Sequence, residues 1–562
     1  MKLTTLVAAA AAAVLSVGLV GCTWASEPKS ADDVAAVSLP DDEYAGAFCS
    51  GDQRVTTTFR TGSTWDLCWR LDDVGGLTLE KVFFQGVNDK QPIQVLDSVA
   101  PVTMTVPYDV GTTEYNDMGF GGWGAASANE MTEAECPTGT IHHLTASDFD
   151  YGGNEVLVED KPTVCQEVVA TGLGGRSAWV TDEGPSELLA PEKRTLTTWQ
   201  GSALVISANT AVGNYEYSSK YTLHDTGQID VALGATGEVN VALWADQLEG
   251  IDEERYGWPI GEGQTDYSPS HFHNGVWKVA FAIDGKDDQT VEELNTAWTG
   301  EYGTHSSLYE TTRTVLDTET SRMNDSLRSW RVFNPSSLND DQHPRGYAIV
   351  MNESAEYEAN PVLQPTVTFT NRNECEIQPL QNSGTGCEGA TLLDFTNGET
   401  LTDPIAWVNV GFHHVVRDED QSPMPIHWQG FTLYPHDFSA LSPIALRADR
   451  NGYIGEKDAA AGATSEVTPE SITTLAVTGM TARVTVSATD DEGNDVVPTT
   501  GWVTILEGDL EVTRVPFTHG AGGALEVDLG ALSSGSHDLT AKYVGSNQVR
   551  GSVSDAVTVV IP

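Results

Sequence analysis

Short runs of alternating apolar and polar residues dominate the chain between Ser202 and Leu446. Ser202–Ser207 alternates with a period of two, and Lys220–Leu223 is a second stretch rich in strand-forming residues. Gly, Pro, Asn and Asp separate these runs, and few stretches show the 3.6-residue period of a helix. The pattern predicts a mainly β protein over this region.

A second β pattern follows Ala459–Ala463, a run of small residues typical of a linker. Residues 468–562 alternate again, for example over Ala482–Ser487, with turn signals about every ten residues. Gly535–Tyr543 resembles the penultimate strand of bacterial Ig-like modules. We therefore expect a linker over 456–467 and a small Ig-like β-sandwich over 468–562, serving as a spacer or a surface-binding module.

The N-terminus has the pattern of an export signal. Lys2 precedes an apolar run from Leu6 to Val20, and Leu19-Val20-Gly21-Cys22 matches a bacterial lipobox. We expect a lipoprotein signal peptide over 1–22, a polar linker over 23–44, and a lipid on Cys22 that anchors the exported chain to the bacterial cell surface. An ordinary cleavable signal peptide is the alternative. No later stretch reaches about 18 uninterrupted apolar residues, the length that spans a bilayer.

Acidic residues dominate the charge of the chain. The 562 residues include 81 acids and 29 Lys or Arg, which gives a formal net charge of −52 and a pI of about 4.3. Nucleic acid phosphates would repel such a chain, so the composition argues against nucleic acid as a partner. The acids are scattered, which is typical of a solvated surface and would also attract small cations.

The number of cysteines fits an exported protein. Seven cysteines minus Cys22 leave six, an even number in a compartment that permits disulfides. Six thiols allow 15 pairings, and the residues alone do not choose among them.

Two stretches contain residues suited to chemistry. His271 and His273 are two positions apart, so on a strand both would point to one face and could share a metal ion, either copper or zinc. Asn214-Tyr215-Glu216-Tyr217 is unusual for a strand interior, and Gly213 ahead of it indicates a bulge or a close backbone approach. On its own, the second stretch fits an aromatic strand edge next to a turn.

Val212–Tyr217 also resembles the cofactor signature Asn-Tyr-Asp/Glu-Tyr of the copper amine oxidases. The resemblance implies that Tyr215 is oxidised in place to topaquinone and that Asn214 holds the orientation of the quinone. It further implies a large antiparallel β-sandwich as the catalytic domain, which we expect over residues 45–455.

The resemblance extends to the metal ligands. The family binds copper through a His-x-His pair some fifty-odd residues after the tyrosine, and His271 follows Tyr215 by 271 − 215 = 56 residues. The third ligand maps to His414, in a Gly-x-x-His segment where Val416 stands in place of the usual proline. The resemblance thus implies Cu²⁺ on His271, His273 and His414. Zinc would suit the same nitrogens, but forming a quinone requires a redox metal and dioxygen.

Two further motifs imply the remaining active-site residues. Val106-Pro107-Tyr108 resembles the segment whose tyrosine hydrogen-bonds the quinone, and Tyr115-Asn116-Asp117-Met118-Gly119 resembles the segment that carries a gate tyrosine and the catalytic base. This makes Tyr108 the quinone partner, Tyr115 the gate and Asp117 the base. The spacing 117 − 108 = 9 is shorter than the family norm, and Phe120 replaces the usual glutamate. Asp117 would otherwise be a turn residue before Gly119.

The family also carries a disulfide between its catalytic aspartate and its quinone strand. This implies a bridge between two of the six cysteines, and we expect the other four to pair by sequence proximity. The expected disulfides are Cys136–Cys165 from the resemblance, with Cys49–Cys68 and Cys375–Cys387 for the remainder.

Two accessory features follow from the resemblance. Asp284 and Asp403 resemble parts of a peripheral calcium site, but Ala280 replaces a ligand aspartate, so we expect that site to be weakened or absent. Trp330–Pro335 and Gly346–Ile349 resemble a hairpin arm that reaches a second subunit, which implies a homodimer.

The resemblance as a whole implies oxidative deamination of primary amines to aldehyde, ammonia and hydrogen peroxide. Dioxygen is the co-substrate. Two alternatives remain open at this point: a surface-anchored β-sandwich adhesin or binding protein, and an oxidase scaffold that has lost its activity.

Overall fold

A computed structural model provides the structure of the chain. It describes residues 39–444 and 469–561, except 73–75, 110–113, 117, 119–122, 124–127, 150–154, 178–196, 240–256, 265, 300–307, 326, 353, 383–384, 490–492, 497–501, 509, 518–523, 531, 544–548 and 550. Cys22 and the expected signal peptide lie outside the described residues. Within them, no helix is long and apolar enough to cross a membrane.

The first part of the chain, up to His436, is built from strands. In chain order these are Arg54–Thr58 (β1), Thr64–Asp72 (β2), Gly76–Gln85 (β3), Ile93–Pro107 (β4), Glu114–Asn116 (β5), Thr140–Phe149 (β6), Glu155–Ser177 (β7), Thr197–Val212 (β8), Tyr215–His224 (β9), Ile229–Gly237 (β10), Gly257–Ile260 (β11), Asp266–Pro269 (β12), His271–Phe281 (β13), Thr290–Trp298 (β14), Tyr309–Leu316 (β15), Thr320–Arg322 (β16), Arg328–Leu338 (β17), Pro344–Met351 (β18), Val367–Asn371 (β19), Pro404–His414 (β20) and Met424–His436 (β21). Among the described residues, the helical segments with defined bounds are short: the α-helix Leu392–Phe395 (α1) and the 3-10 turns Tyr44–Ala47, Gly51–Gln53 and Asp418–Asp420.

Two large antiparallel sheets contain all of these strands except β11 and β12, which pair with each other. The first sheet has the order β1-β2-β3-β4-β13-β20-β19-β16, with β5 on β4, and the second has the order β15-β14-β17-β18-β21-β10-β9-β8-β7-β6. One hydrophobic core joins them, because it contains Trp277 and Phe281 from the first sheet together with Tyr221 and Phe431 from the second. The expected large antiparallel β-sandwich is therefore confirmed.

The C-terminal part forms a smaller pair of sheets. Its strands are Ser471–Thr478 (β22), Thr481–Thr489 (β23), Asp495–Val496 (β24), Trp502–Glu507 (β25), Leu510–Pro516 (β26), Ala524–Asp528 (β27), Gly535–Tyr543 (β28), Ser552–Val553 (β29) and Val557–Ile561 (β30). One sheet joins β22, β23, β24 and β27, and the other joins β25, β26, β28, β29 and β30. A separate core that includes Val484, Ile505 and Tyr543 stabilises this part.

Three disulfides connect the described cysteines as expected. They are Cys49–Cys68, Cys136–Cys165 and Cys375–Cys387.

The segment expected to form a projecting arm differs from that expectation. β17 and β18 are interior strands of the second sheet, paired with β14 and β21 on their other sides. Trp330 and Tyr347 on these strands are fully buried in the core of their own chain. Apolar side chains facing inward on both strands keep this hairpin within the sheet.

Candidate metal and quinone site

Tyr215 is the first residue of β9 and follows a tight hairpin turn. Val212 and Tyr215 pair across the hairpin, so Gly213 and Asn214 form its two-residue loop. Gly213 has φ 63°, the left-handed conformation that a glycine adopts at the first position of such turns. The expected bulge or close approach is thus a turn, and no atom lies within 4 Å of the position that a Cβ of Gly213 would occupy.

The side chain of Tyr215 points into the sandwich toward the opposite sheet. Its hydroxyl lies 2.8 Å from Nε2 of His271 and 3.1 Å from Nδ1 of His414. Its ring meets the ring of His273 edge-on, with centroids 4.8 Å apart. One tyrosine of the second sheet thus contacts all three predicted histidines of the first.

Strand alternation and register assemble the three histidines. His271 and His273 are on the inward face of β13, and His414 is directly opposite His271 on β20. All three are buried, and a ring nitrogen of each lies within 4.8 Å of the others. The expectation that His271 and His273 share one face is confirmed.

The hydrogen bonds fix which nitrogen of each ring is available. His271 Nδ1 donates to the carbonyl oxygen of Pro269 over 3.0 Å, and His414 Nε2 is 2.9 Å from a carboxylate oxygen of Asp420. His273 Nδ1 is 3.1 Å from the hydroxyl of Tyr217. This leaves three nitrogens facing a common point: Nε2 of His271, Nε2 of His273 and Nδ1 of His414.

An unpartnered buried atom supports metal binding by these residues. His273 Nε2 is buried and has no hydrogen-bond partner among the described residues. Such a group is costly unless a ligand satisfies it. Three imidazole nitrogens are donors that suit Cu²⁺, so the residues present fit the expected copper.

Burial keeps the histidines neutral, as ligands must be. Burial and the neighbouring His414 lower the pKa of His271 to about 3. Burial and His271 hold the pKa of His273 well below its usual value, and burial also lowers the pKa of His414 despite its bond to Asp420. Neutral imidazoles at pH 7 offer lone pairs without first releasing protons.

The other predicted site residues lie only partly within the described residues. Tyr108 forms a bridge with His271, and their ring centroids are 4.6 Å apart. The backbone of Tyr115 lies in β5 opposite Val106, but its side chain is outside the described residues, as is Asp117. The roles expected for Tyr108, Tyr115 and Asp117 stay predictions.

Asn214 lies at the surface. Its side-chain nitrogen donates to Glu238 over 3.2 Å, and its main-chain oxygen accepts a hydrogen bond from the backbone of Glu238. These bonds hold the turn against the segment after β10. An orienting role of Asn214 toward the ring of Tyr215 stays a prediction.

Several residues of the site were not singled out from the sequence. Asp420 is fully buried, and although burial alone would raise its pKa, hydrogen bonds from His414 and Arg417 lower it. His427 packs beside it, with its ring centroid 5.2 Å from that of His414. The acidic run at the end of the His414 segment was a usable signal for Asp420. Tyr217 is the last residue of the signature at Asn214–Tyr217 but was given no role, and nothing local pointed to His427.

The two aspartates of the expected calcium site contact protein groups. Asp284 accepts a hydrogen bond of 2.7 Å from the hydroxyl of Ser337. Asp403 receives Nε of Arg372 at 2.7 Å, and the same guanidinium donates to Asp97 at 2.8 Å. A cation of the protein itself therefore neutralises Asp403.

Comparisons with known proteins agree with this geometry. The model of the family described as "Copper amine oxidase, enzyme domain" matches residues 61–449. Histamine oxidase of Arthrobacter globiformis is 25% identical over 408 residues, covering 67% of this chain and 55% of the relative. Primary amine oxidase of Arthrobacter sp. (strain P1) is 25% identical over 416 residues, covering 69% of this chain and 60% of the relative.

A solved structure shares the fold. The copper-containing benzylamine oxidase from Hansenula polymorpha aligns with a TM-score of 0.55 at 18% identity, over 69% of this chain and 62% of the other. The chain spans about half the length of the curated relatives it matches. Because the family model matches most of the chain, including the turn at Tyr215 and all three histidines, the protein belongs to the copper amine oxidase family.

Proposed function

We propose that the protein oxidises primary amines, converting amine, dioxygen and water to aldehyde, ammonia and hydrogen peroxide. The observation that carries this proposal is the contact of the Tyr215 hydroxyl with His271 Nε2 at 2.8 Å and His414 Nδ1 at 3.1 Å. A buried phenol held against metal-binding nitrogens is positioned for metal-dependent oxidation of its ring. A tyrosine that only filled the core would not require such partners.

The copper would be held by Nε2 of His271, Nε2 of His273 and Nδ1 of His414. When bound, copper supplies redox chemistry with dioxygen, and the topaquinone made from Tyr215 supplies an electrophilic carbonyl that ordinary side chains lack. The ring nitrogens that face away from the metal position stay protonated because they donate hydrogen bonds to protein acceptors. The other ring nitrogen of each histidine therefore keeps its lone pair directed at the metal position.

Asp117 is proposed as the general base that removes a proton from the substrate carbon next to nitrogen. Tyr108, whose ring packs against His271, is proposed to share a proton with the cofactor oxygen, and Tyr115 is proposed to gate access. For this role, the carboxylate of Asp117 must come within hydrogen-bond distance of the proton that it removes from the substrate carbon.

The relatives support a primary amine as the substrate class. They include proteins named histamine oxidase and primary amine oxidase. The net charge of −52 adds a general attraction for ammonium ions at low salt.

Oxygen consumption with a panel of alkyl, aromatic and imidazole-bearing primary amines tests this function. The copper-loaded protein should consume dioxygen and release an equal amount of peroxide. Asp117→Asn should lower the rate by about 10² to 10⁴, because a positioned general base contributes that much. The quinone of that variant should still react with a hydrazine.

Two outcomes would contradict these assignments. Near-parent turnover by Asp117→Asn would make Asp117 a turn residue. A colourless protein with full copper and no amine-dependent oxygen uptake would indicate an oxidase scaffold without activity or a surface adhesin.

We also propose that a lipid on Cys22 anchors the protein to the bacterial cell surface. The proposal depends on the lipobox Leu19-Val20-Gly21-Cys22. Cys22→Ala should move the protein from the membrane fraction to the medium. Unchanged membrane retention would show that another feature anchors it.

Two further proposals concern assembly. We propose a homodimer, as implied by the family, and an Ig-like spacer formed by β22 to β30. Light scattering at micromolar concentration should give twice the mass of the chain, and a monomer mass would contradict the dimer. Deleting residues 468–562 should leave copper binding intact, and loss of copper binding would contradict the spacer role.

A further inference from the structure

The outer face of the first sheet carries a cavity of about 550 Å³ that the proposed oxidase chemistry does not use. Alternation along β13 turns Lys278 away from Trp277 and Val279, which belong to the central core. The histidines point into the sandwich, whereas Lys278 lines this cavity on the opposite face of the same strand. The cavity is called the Lys278 cavity below.

Small side chains at the centre of the sheet create the hollow. Ala100 lies opposite Lys278 across the β4–β13 pair, and Ser98 lies opposite Ala280. Larger neighbours at these positions would fill the space. The floor of the Lys278 cavity is therefore a result of strand register.

Two disulfides hold the walls. Cys49–Cys68 ties the segment carrying Phe48 to β2, and Cys375–Cys387 closes the loop that carries Ile377. Phe48 is 60% exposed and Ile377 is 46% exposed, although both line the cavity. Because disulfides fix both walls, the cavity is preformed. The side chains of Phe48 and Ile377 make its rim apolar.

Three of the four cations that line the cavity already have carboxylate partners. Arg70 pairs with Glu80 at 2.9 Å, and Lys81 pairs with Asp97. Arg372 pairs with Asp97 at 2.8 Å and with Asp403 at 2.7 Å.

Lys278 is different. Its ammonium donates one hydrogen bond, to the main-chain oxygen of Glu376 at 2.5 Å, and no carboxylate of the described residues lies within ion-pair distance of it. Its Nζ also lies 5.0 Å from the centroid of the Trp407 ring, a cation–π contact, and because an ammonium has three donors, it retains capacity to bind a ligand. Burial lowers the pKa of Lys278 to about 8. The negative charges of the Glu376 and Glu374 carboxylates raise this pKa, and the positive charge of Arg372 lowers it. A nearby anion would relieve this cost.

We propose that the Lys278 cavity binds a small molecule with one carboxylate, whose charged end pairs with Lys278 and whose apolar body lies against Phe48 and Ile377. One carboxylate matches the one lining cation that has no carboxylate within ion-pair distance among the described residues. A phosphate dianion would add surplus negative charge beside Glu80, Asp97 and Glu374, which also line the cavity.

Calorimetric titration with benzoate tests the proposal, since benzoate combines one carboxylate with an apolar ring. Copper-free and copper-loaded protein should show the same saturable binding, because the cavity is on the far face from the histidines. Lys278→Met should weaken binding roughly 10- to 100-fold, the range for losing a charge-assisted hydrogen bond. Lys278→Arg, which keeps the charge, should retain most of the affinity. Unchanged copper binding in both variants would show that they fold.

A second readout locates the ligand. Benzoate should slow reductive methylation of Lys278, whereas the exposed Lys90 should react at the same rate with and without benzoate. The proposal is overturned if benzoate shows no saturable binding, if Lys278→Met binds it as well as the parent does, or if Lys278 is not protected. Equal binding of benzamide, or tighter binding of inorganic phosphate, would also contradict the assignment of a single carboxylate.

Discussion

Each metal-facing histidine has a different kind of partner behind it. Pro269 offers a main-chain carbonyl to His271, Asp420 a carboxylate to His414, and Tyr217 a phenol hydroxyl to His273. Carbonyls and carboxylates only accept hydrogen bonds, but a phenol hydroxyl can also donate. The orientation of His273 therefore depends on the weakest of the three partners. This makes Tyr217 a positioning residue of the metal site.

Tyr217→Phe tests this role. The change keeps the ring that stacks on Trp123 but removes the acceptor for a fully buried Nδ1. Copper affinity of the metal-free protein, measured by competition with a chelator, should fall about 10- to 100-fold, as is typical when the partner of a ligand histidine is lost.

Tyr221→Phe is the matched control, since its buried hydroxyl bonds main-chain oxygens of Leu77 and Val99 instead of a histidine. It should leave copper affinity unchanged. Equal copper affinity in Tyr217→Phe and the parent would remove Tyr217 from the site.

The sequence pointed to Tyr215 and the three histidines that the structure brings together, but it assigned no partner to His273. Strand alternation predicted the common face of His271 and His273, and the resemblance to the family assigned them as metal ligands. Tyr217 could not be assigned to His273, because the two residues are 56 positions apart and meet only when the two sheets pack. Such partners depend on the tertiary arrangement and leave no local pattern.

At the scale of elements, the hairpin of β8 and β9 positions Tyr215, and β10 supports it from the side. Gly237 at the end of β10 is directly opposite Tyr215 and has φ 103°. A Cβ at Gly237 would lie 2.4 Å from the main-chain oxygen of Asn214 and 3.1 Å from Cα of Tyr215. The sequence marked Gly213 as special but gave no sign that Gly237 is the glycine in close contact.

Gly237→Ala should therefore disturb the site. The clash and the left-handed backbone should together lower the free energy of unfolding by about 1–3 kcal/mol and slow quinone formation, because Tyr215 must shift. Urea denaturation and the rate of colour development after copper addition measure the two effects.

Gly213→Ala is the control at the neighbouring turn. It carries the same kind of backbone strain, worth about 1–2 kcal/mol, but nothing lies within 4 Å of its Cβ position. It should cost stability without slowing quinone formation. Equal rates in the two variants would show that contact at Gly237 is unimportant.

On the scale of the whole molecule, the site exists because two sheets meet face to face. The phenol comes from the second sheet, the three imidazoles come from the first, and the shared core around them keeps the histidines neutral. The strand patterns predicted a mainly β chain, which the structure confirms, and the two largest hydrophobic clusters of the described residues lie before and after the expected linker. The order of strands within each sheet could not be predicted, because it depends on pairings between distant segments.

The most direct measurement is the mass of the peptide that contains Tyr215, before and after copper is added in air to metal-free protein. Tyr215 should gain two oxygen atoms and lose two hydrogens, zinc should produce no change, and Tyr217 should stay unmodified. An unmodified Tyr215 in protein with full copper, or oxidation at Tyr217 instead, would contradict the formation of topaquinone at Tyr215.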